Sequence, residues 1–483
     1  MNDKMRVCQT RTMKLVVSTI AFVILCFNAW CQNETPALPN ILFIVTDDLG
    51  IRDLGCYGSD YYLTPNLDQL ASQSMRFTRA YSASHVCSPT RATIFTGKYP
   101  HRVRITDALP WDRLSENPKL IPPDHLKELP SDLPMFSKSL QSAGYRTALF
   151  GKWHLGNEYQ FFTEEGHYAY GFDEAFPSSG SERRRDKCVD DLTARTIAFL
   201  ESNRERPFML CLMHHTPHVP LACPPKDEAL YDDVPKGRFQ KNQKYAGMIS
   251  HLDQSIKLIL ERLEALELDE NTVVIFTSDN GGLKEVTSNK PYRGSKGNYY
   301  EGGIRVPLIV RWPGQISPAT VSNAAVHSAD YFPSFLALAG LNPIPEAHQD
   351  GVNMLPIWRG KNAESRTFYW HFPHRSNPAS AVISGDWKLV HHIVTNKYEL
   401  FDLKTDPEEK SNLISVYSDK FQLLKSMLEE HLQHSGAQRM RPNPDWDSSL
   451  PPGKIKNYGT HYPTQGGTYR QVEQAYPVWF KEK

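Results

Sequence analysis

The stretch NILFIVTDD, residues 40–48, is a short, mostly apolar run that ends abruptly on two aspartates. A continuous run rich in Ile, Phe and Val, bounded by a polar turn, suits a strand buried on both faces. Three further stretches repeat the pattern. RTALF (146–150) runs into GKWHLG, PFMLCLM (207–213) into HHTPHVP, and TVVIFTS (272–278) into DNGG. Helical patterns lie between them, such as TPNLDQLASQS (64–74) and YAGMISHLDQSIKLILERLEAL (245–266). Alternation of this kind predicts an α/β sandwich around a mostly parallel sheet. In such sheets ligands bind beyond the carboxyl ends of the strands, which is where all four runs place their ionisable residues.

The residue types at those ends divide by chemistry. Asp47, Asp48, Asp279 and Asn280 offer only hard oxygen donors, which suit Ca²⁺ or Mg²⁺ better than zinc. Either group alone would more often be structural, a helix cap or a turn; two groups at equivalent strand ends favour a metal. Lys152 and His154, two apart, point the same way if strand geometry continues past Phe150. Lys296 lies in a Gly-rich loop, YRGSKGNYYEGGIRVP (292–307), where a surface lysine is the plain alternative. CSPTRATIFTGKYPHR (87–102) reads as a helix with Pro89 in its first turn and Thr96-Gly97 as its stop. Cys87 and Arg91 then share one face near the positive N-terminus, a ready anion site. A buried cysteine beside a surface arginine is the simpler alternative.

The 483 residues carry 54 Lys+Arg and 54 Asp+Glu, so there is no basic excess of the kind that marks a nucleic-acid binder. Basic residues Lys4, Arg6, Arg11 and Lys14 precede the apolar run LVVSTIAFVILCF (15–27), followed by NAWCQNETPALPN. This layout predicts a secretory signal over residues 1–31 and a periplasmic or secreted protein. The run is too short for a comfortable membrane span. With Cys8, Cys26 and Cys31 removed, Cys56, Cys87, Cys188, Cys211 and Cys223 remain. An odd count singles out a cysteine with another job, and Cys87 is the obvious one.

CSPTR followed by TGKYPHR resembles the signature of the formylglycine-dependent sulfatases, within the alkaline phosphatase-like superfamily. NILFIVTDDLG, GKWHLG, HTPHVP, FTSDNGG and GSKGNYYEGGIRVP are similar to family segments in family order. GDWKLV and YELFDLKTDPEEKSNL resemble the family's C-terminal subdomain. The resemblance implies that a separate maturation enzyme, formylglycine-generating or anaerobic sulfatase-maturing, oxidises Cys87 to 3-oxoalanine (formylglycine). Its hydrate carries two hydroxyls: one attacks sulfur, and deprotonation of the other re-forms the aldehyde and expels sulfate. The resemblance further implies one calcium ion on Asp47, Asp48, Asp279, Asn280 and residue 87. Arg91, Lys152 and Lys296 would clamp the sulfate, with His154 as the base for elimination and His218 as the acid for the leaving oxygen. His214 and His215 have no sure counterpart and are read as structural.

The expected organisation is a catalytic domain over 36–365 and a smaller antiparallel-sheet subdomain over 366–483, with a helix near KFQLLKSMLEEHLQ (420–433). The expected substrate is a sulfated carbohydrate, algal (ulvan, carrageenan) or glycosaminoglycan. Arg183, in SERRRDK (181–187), and His371, His374 and Arg375, in WHFPHR (370–375), are the candidate sugar contacts; by family similarity both loops reach the pocket rim. Arg183, Arg184 and Arg185 read alternatively as a solvated basic face. Two rival functions remain on sequence grounds, a phosphate or phosphonate monoester hydrolase on the same scaffold and a silent carbohydrate-binding relative. No second Asp/His metal cluster is legible in the sequence, which weighs against a phosphatase.

Overall fold

The computed structural model describes residues 38–110, 113–178, 186–375, 377–451 and 455–457. The expected signal segment and Arg183, Arg184 and Arg185 lie outside them. Eight strands form the main sheet: β1 (Asn40–Thr46), β2 (Met75–Tyr81), β3 (Arg146–Gly151), β4 (Glu174–Pro177), β5 (Phe208–Met213), β6 (Thr272–Ser278), β7 (Arg305–Arg311) and β8 (Thr320–His327). Their order is β8-β2-β7-β6-β1-β5-β3-β4. All neighbours pair in parallel except β7, which is antiparallel to both β2 and β6. The four runs read from sequence are thus β1, β3, β5 and β6, side by side at the centre. Reversing β7 brings its N-terminal end beside the carboxyl end of β6, so the loop between them stays over that edge.

Burial of β1 on both faces explains its unbroken apolar run. Leu42 and Ile44 join a core completed by α4 (Gln243–Ala265), whose Tyr245, Ile249, Leu252, Ile256, Ile259 and Leu263 recur at helical spacing. Phe43 points to the opposite layer, 4.8 Å from Tyr331 and 5.3 Å from Phe335 of α5 (Tyr331–Leu338) between ring centroids. The expected α/β/α sandwich is therefore present.

A second sheet is antiparallel: β9 (Thr367–Phe372), β10 (Ala379–Ser384), β11 (Trp387–His392) and β12 (Lys397–Asp402). Its two faces alternate with period 2. Val382, Leu389 and Leu400 pack on Leu424, Leu428 and Leu432 of α6 (Ser418–His434). The opposite face, with Ala381, Ile383, Val390 and Phe401, packs on Tyr81, Val86, Cys87, Tyr299 and Ile304. Trp370 adds a hydrogen bond from its indole Nε1 to the Ser82 carbonyl at 2.8 Å. The expected junction at 365/366 falls just before β9. The two sheets nevertheless share one core, and the described residues from Pro39 onward form a single compact unit.

Candidate active site

The helix that carries Cys87 is α2 (Cys87–Thr96), and it ends on Gly97 in the left-handed region at φ 65°. All ten of its residues are buried, which its polar composition would normally forbid. The hydroxyls solve this locally. Thr93 and Thr96 bond back to the carbonyls of Pro89 and Ala92, and Thr90 bonds to Ser84 and Val86. Arg91 is fully buried and holds two partners: its Nε donates to Asp279 Oδ2 at 2.9 Å, its Nη1 to the Lys152 carbonyl at 2.8 Å. One side chain thus ties the ends of β3 and β6 to α2.

Asp47 and Asp48 follow β1, and Asp279 and Asn280 follow β6, in register. Ligand atoms of Asp47, Cys87 and Asp279 lie within 4.8 Å of one another. Lys152 Nζ is 2.6 Å from Asp47 Oδ2, and Lys296 Nζ is 2.7 Å from Asp48 Oδ1. Asn280 Nδ2 donates to Asp48 Oδ1 at 2.8 Å. His218 Nε2 lies 3.6 Å from Asp48 Oδ2. The sequence therefore picked out residues that the fold gathers into one cluster.

Position past the strand end follows turn geometry. β3 stops at Gly151, where φ is 111° and an added Cβ would sit 1.9 Å from the Met213 carbonyl oxygen. His154 has φ 57°, so the period-2 expectation for Lys152 and His154 does not extend past the strand. Lys152 turns to Asp47, whereas His154 Nε2 reaches the Leu109 carbonyl at 2.6 Å.

The electrostatics are those of opposed buried charges. Burial raises the Asp47 carboxyl, but Lys152, His218 and Arg91 outweigh it and hold the group well below the usual range. Burial and the Asp47 charge push Asp279 well above it. Burial also raises the Cys87 thiol, yet Lys152 and Lys296 bring it below its ordinary value. Burial, then Lys152, drive His154 down to about 3, so its ring is neutral.

The cluster fits a hard cation. Asp47 Oδ1 and Asn280 Oδ1 are buried without a hydrogen-bond partner, a costly state that an ion would relieve. Asp47 and Asp279 also repel one another, and their donors are oxygens.

One histidine read as structural lies beside the cluster. His215 Nε2 lies 3.8 Å from Asp47 Oδ2 and its ring is 5.3 Å from that of His218, which corrects its reading as structural. His85, two residues before Cys87, is buried between Tyr299 and Phe372, each at 4.3 Å. His215 carried no spacing signal, because HHTPHVP offers three histidines and only the turn decides which face inward.

Two expected sugar contacts are buried and hydrogen-bonded within the protein. His371 lies on β9 with Nδ1 2.7 Å from Ser380 Oγ and Nε2 2.8 Å from the Gln438 carbonyl. His374 is 3% exposed, and its Nε2 is 2.7 Å from Thr106 Oγ1. Both rings are committed inside the protein. Arg375 stays partly exposed, its Nη2 2.6 Å from Asp107 Oδ1. A second Asp/His group does exist. Asp186, Asp190 and His251 lie together, with Asp227 Oδ2 2.9 Å from His251 Nδ1. Burial lowers the His251 ring, but these carboxylates outweigh it and raise it above its usual value, so the group reads as an ion-paired imidazolium. None of Cys56, Cys87, Cys188, Cys211 and Cys223 forms a disulfide.

A parallel-rich sheet with carboxylates, an arginine and lysines gathered around a cysteine at a helix N-terminus defines a hydrolase for anionic esters. The chain belongs to the sulfatase family: residues 39–341 match the Sulfatase profile. Residues 295–438 match the profile described as N-sulphoglucosamine sulphohydrolase, C-terminal. It is 30% identical to the N-acetylgalactosamine-6-sulfatase of Homo sapiens over 409 residues, covering 76% of this chain and 74% of that one. It is 27% identical to the N-acetylgalactosamine-6-O-sulfatase of Bacteroides thetaiotaomicron, covering 82% and 94%. Among solved structures, Ps i-CgsB in complex with k-i-k-neocarrahexaose matches with a TM-score of 0.71 at 27% identity, covering 85% of this chain and 95% of that one. The protein is a sulfatase and hydrolyses sulfate esters.

Proposed function

We propose that this sulfatase removes sulfate from a sulfated polysaccharide or its oligosaccharides, outside the cytoplasm, with Cys87 matured to formylglycine and calcium held by Asp47, Asp48, Asp279 and Asn280. The observation that carries this reading is the setting of Cys87. It opens a buried helix, its Sγ lies within 4.8 Å of carboxylate oxygens of Asp47 and Asp279, and lysines depress its pKa. The substrate class is supported by relatives named for N-acetylgalactosamine-6-sulfate and by a similar structure bound to neocarrahexaose. Polymers of ulvan, carrageenan or glycosaminoglycan type fit this class. Export rests on the basic-then-apolar layout before residue 36; no helix among the described residues is long and apolar enough to cross a membrane. Formylglycine requires a maturation enzyme as partner.

The roles follow from the side chains. Matured Cys87 would hold the formylglycine hydrate, whose two hydroxyls would supply a nucleophile for sulfur and a route to sulfate release. Calcium would neutralise the carboxylates and polarise a sulfate oxygen. Arg91, Lys152 and Lys296 hold the sulfate charge. A carbonyl oxygen only accepts, so His154 donates its Nε2–H to Leu109, and Nδ1, buried without a partner, keeps the lone pair of a base. His218 likewise donates Nδ1–H to the Val219 carbonyl at 2.5 Å, leaving Nε2 to carry the proton for the leaving oxygen.

The deciding experiment measures free sulfate by ion chromatography after incubation with carrageenan, ulvan, glycosaminoglycans and defined sulfated sugars. Release from at least one of these is expected. Faster phosphate release from phosphate or phosphonate monoesters would favour the related hydrolase, and sugar binding without sulfate release would favour the silent relative.

A further inference from the structure

Lys388, on β11, is completely buried, and its ammonium is 2.9 Å from Glu301 Oε1 and 2.8 Å from Glu409 Oε1. Glu301 opens a one-turn helix, Glu301–Ile304, five residues after Lys296. Its second carboxylate oxygen takes Arg305 Nη1 at 3.2 Å and the Tyr81 hydroxyl at 3.1 Å, while its backbone N–H donates to Glu409 Oε2 at 2.7 Å. Four buried charges, two of each sign, thus lock the segment after Lys296 to the second sheet. The segment before Lys296 is held by the same sheet. Arg293 Nη1 donates to Glu399 Oε1 and to the Glu409 carbonyl, both at 3.1 Å, and its guanidinium lies 3.8 Å over the Tyr300 ring.

Between these anchors the loop closes on itself. Gly302 N–H donates to the Arg293 carbonyl at 2.7 Å and Ser295 N–H to Asn298 Oδ1 at 3.0 Å. A Cβ on Gly303 would lie 1.9 Å from the Asn298 carbonyl oxygen, so backbone packs on backbone. Lys296 sits at the closed tip, its N–H on the Gly282 carbonyl and that of Gly297 on the His85 carbonyl, both at 3.1 Å. The tip is thereby tied to the turn after β6 and to the approach to α2.

A buried ion pair contributes little stability beyond an apolar pair of equal volume, whereas it specifies one geometry strictly. We propose that Lys388, Glu301 and Glu409 are positioning residues for the reaction: through the 293–303 loop they set where the Lys296 ammonium meets sulfate. The proposal rests on Lys296 being a sulfate clamp, as read above. It assigns a part in anion recognition to the C-terminal sheet, whose contacts with Cys87 are apolar and whose strands supply none of the charged groups described around Asp47, Asp48 and Asp279.

Equilibrium binding of inorganic sulfate by calorimetry tests it without turnover, in a double-mutant cycle between Lys388→Met and Lys296→Ala. Lys388→Met is expected to weaken sulfate binding about tenfold, and to add less than about twofold once Lys296 is alanine, because coupled residues are non-additive. Glu409→Gln, which keeps an amide oxygen for the Glu301 N–H, is expected to weaken binding about threefold with the same loss of effect in the Lys296→Ala background. It decides the matter if Lys388→Met does not fold. Full additivity, or a lowered melting temperature with unchanged sulfate affinity, would overturn the proposal by reducing the cluster to a structural brace. If Lys296→Ala itself left sulfate binding unchanged, the clamp reading would fall first and this inference with it.

Discussion

Cys87 differs from its fellow thiols by its neighbours. Burial pushes Cys56, Cys211 and Cys223 up, the last to about 11, whereas Lys152 and Lys296 pull Cys87 below the ordinary value. If Cys87 is the formylglycine precursor, mass spectrometry of active enzyme should find an aldehyde or its hydrate at residue 87 and intact thiols at the other positions. Cys87→Ser should fold and be almost inactive, because a serine ester cannot expel sulfate by re-forming an aldehyde. Fully active enzyme carrying only a thiol there would overturn the mechanism. Arg375 is the sugar-contact candidate that keeps some exposure. Its guanidinium is held by Asp107 at 2.6 Å and its Nε has no hydrogen-bond partner. Hydrogen bonds to charged groups contribute about 1.5–3 kcal/mol, so Arg375→Ala should lower kcat/KM on a sulfated oligosaccharide roughly tenfold or more. A small aryl sulfate should be nearly unaffected. Equal losses on both substrates would mean that Arg375 acts through Asp107 on the loop whose Leu109 carbonyl holds His154.

At the scale of elements, the ends of β1 and β6 bring Asp47 and Asp279 together, and α2 brings Arg91 and Cys87 to them. Lys152 and Lys296 are paired with Asp47 and Asp48. A calcium ion on those carboxylates would compete for that pairing and release both ammonium groups to sulfate. Chelation is therefore expected to lower the melting temperature, the activity and the affinity for inorganic sulfate together, with calcium restoring all three. A ligand at about a hundred times its Kd stabilises the folded state by about 2.7 kcal/mol, which sets the expected scale. Asp279→Ala should mimic chelation and respond little to added calcium. An unchanged melting curve after removal of bound metal, verified by elemental analysis, would end the assignment. These elements were legible because each is a local pattern. β1 and β6 match their apolar runs residue for residue, and α2 runs from Cys87 to the turn at Gly97 as its Pro and Gly predict.

The whole molecule stands or falls on the joint between its two sheets, where several histidines are buried. Burial, followed by Arg366, drives His327 to about 3; burial, against an opposing hydrogen bond to Gln438, drives His371 to about 4. Unfolded, both rings would take a proton near pH 6.5. Between those values each ring binds more protons unfolded than folded, so the contribution of each to stability falls as pH falls from about 6.5 towards 4. By pH 5 the loss is about 2 kcal/mol for each ring. Urea denaturation in saturating calcium at pH 7.5 and pH 5 checks this, and His371→Gln should show a slope shallower by one proton. A slope unchanged by His371→Gln would contradict the neutral state of that ring.

The sequence by itself determined the α/β class, the central strands, the helix at Cys87 and most of the polar cluster. Those features depend on periodicity, breakers and residue type within a few positions. Only the tertiary structure decided the reversed β7, which parks the Lys296 loop over the carboxyl edge, since strand direction depends on distant pairing partners. It also decided that His215 joins the cluster while His371 and His374 do not. A histidine's role depends on which atoms its ring meets, and those lie on segments far apart in the chain. The joint between the sheets is of the same kind. Trp370 and Val86 share a core because two separate apolar faces found each other in space, a match that no local spacing records.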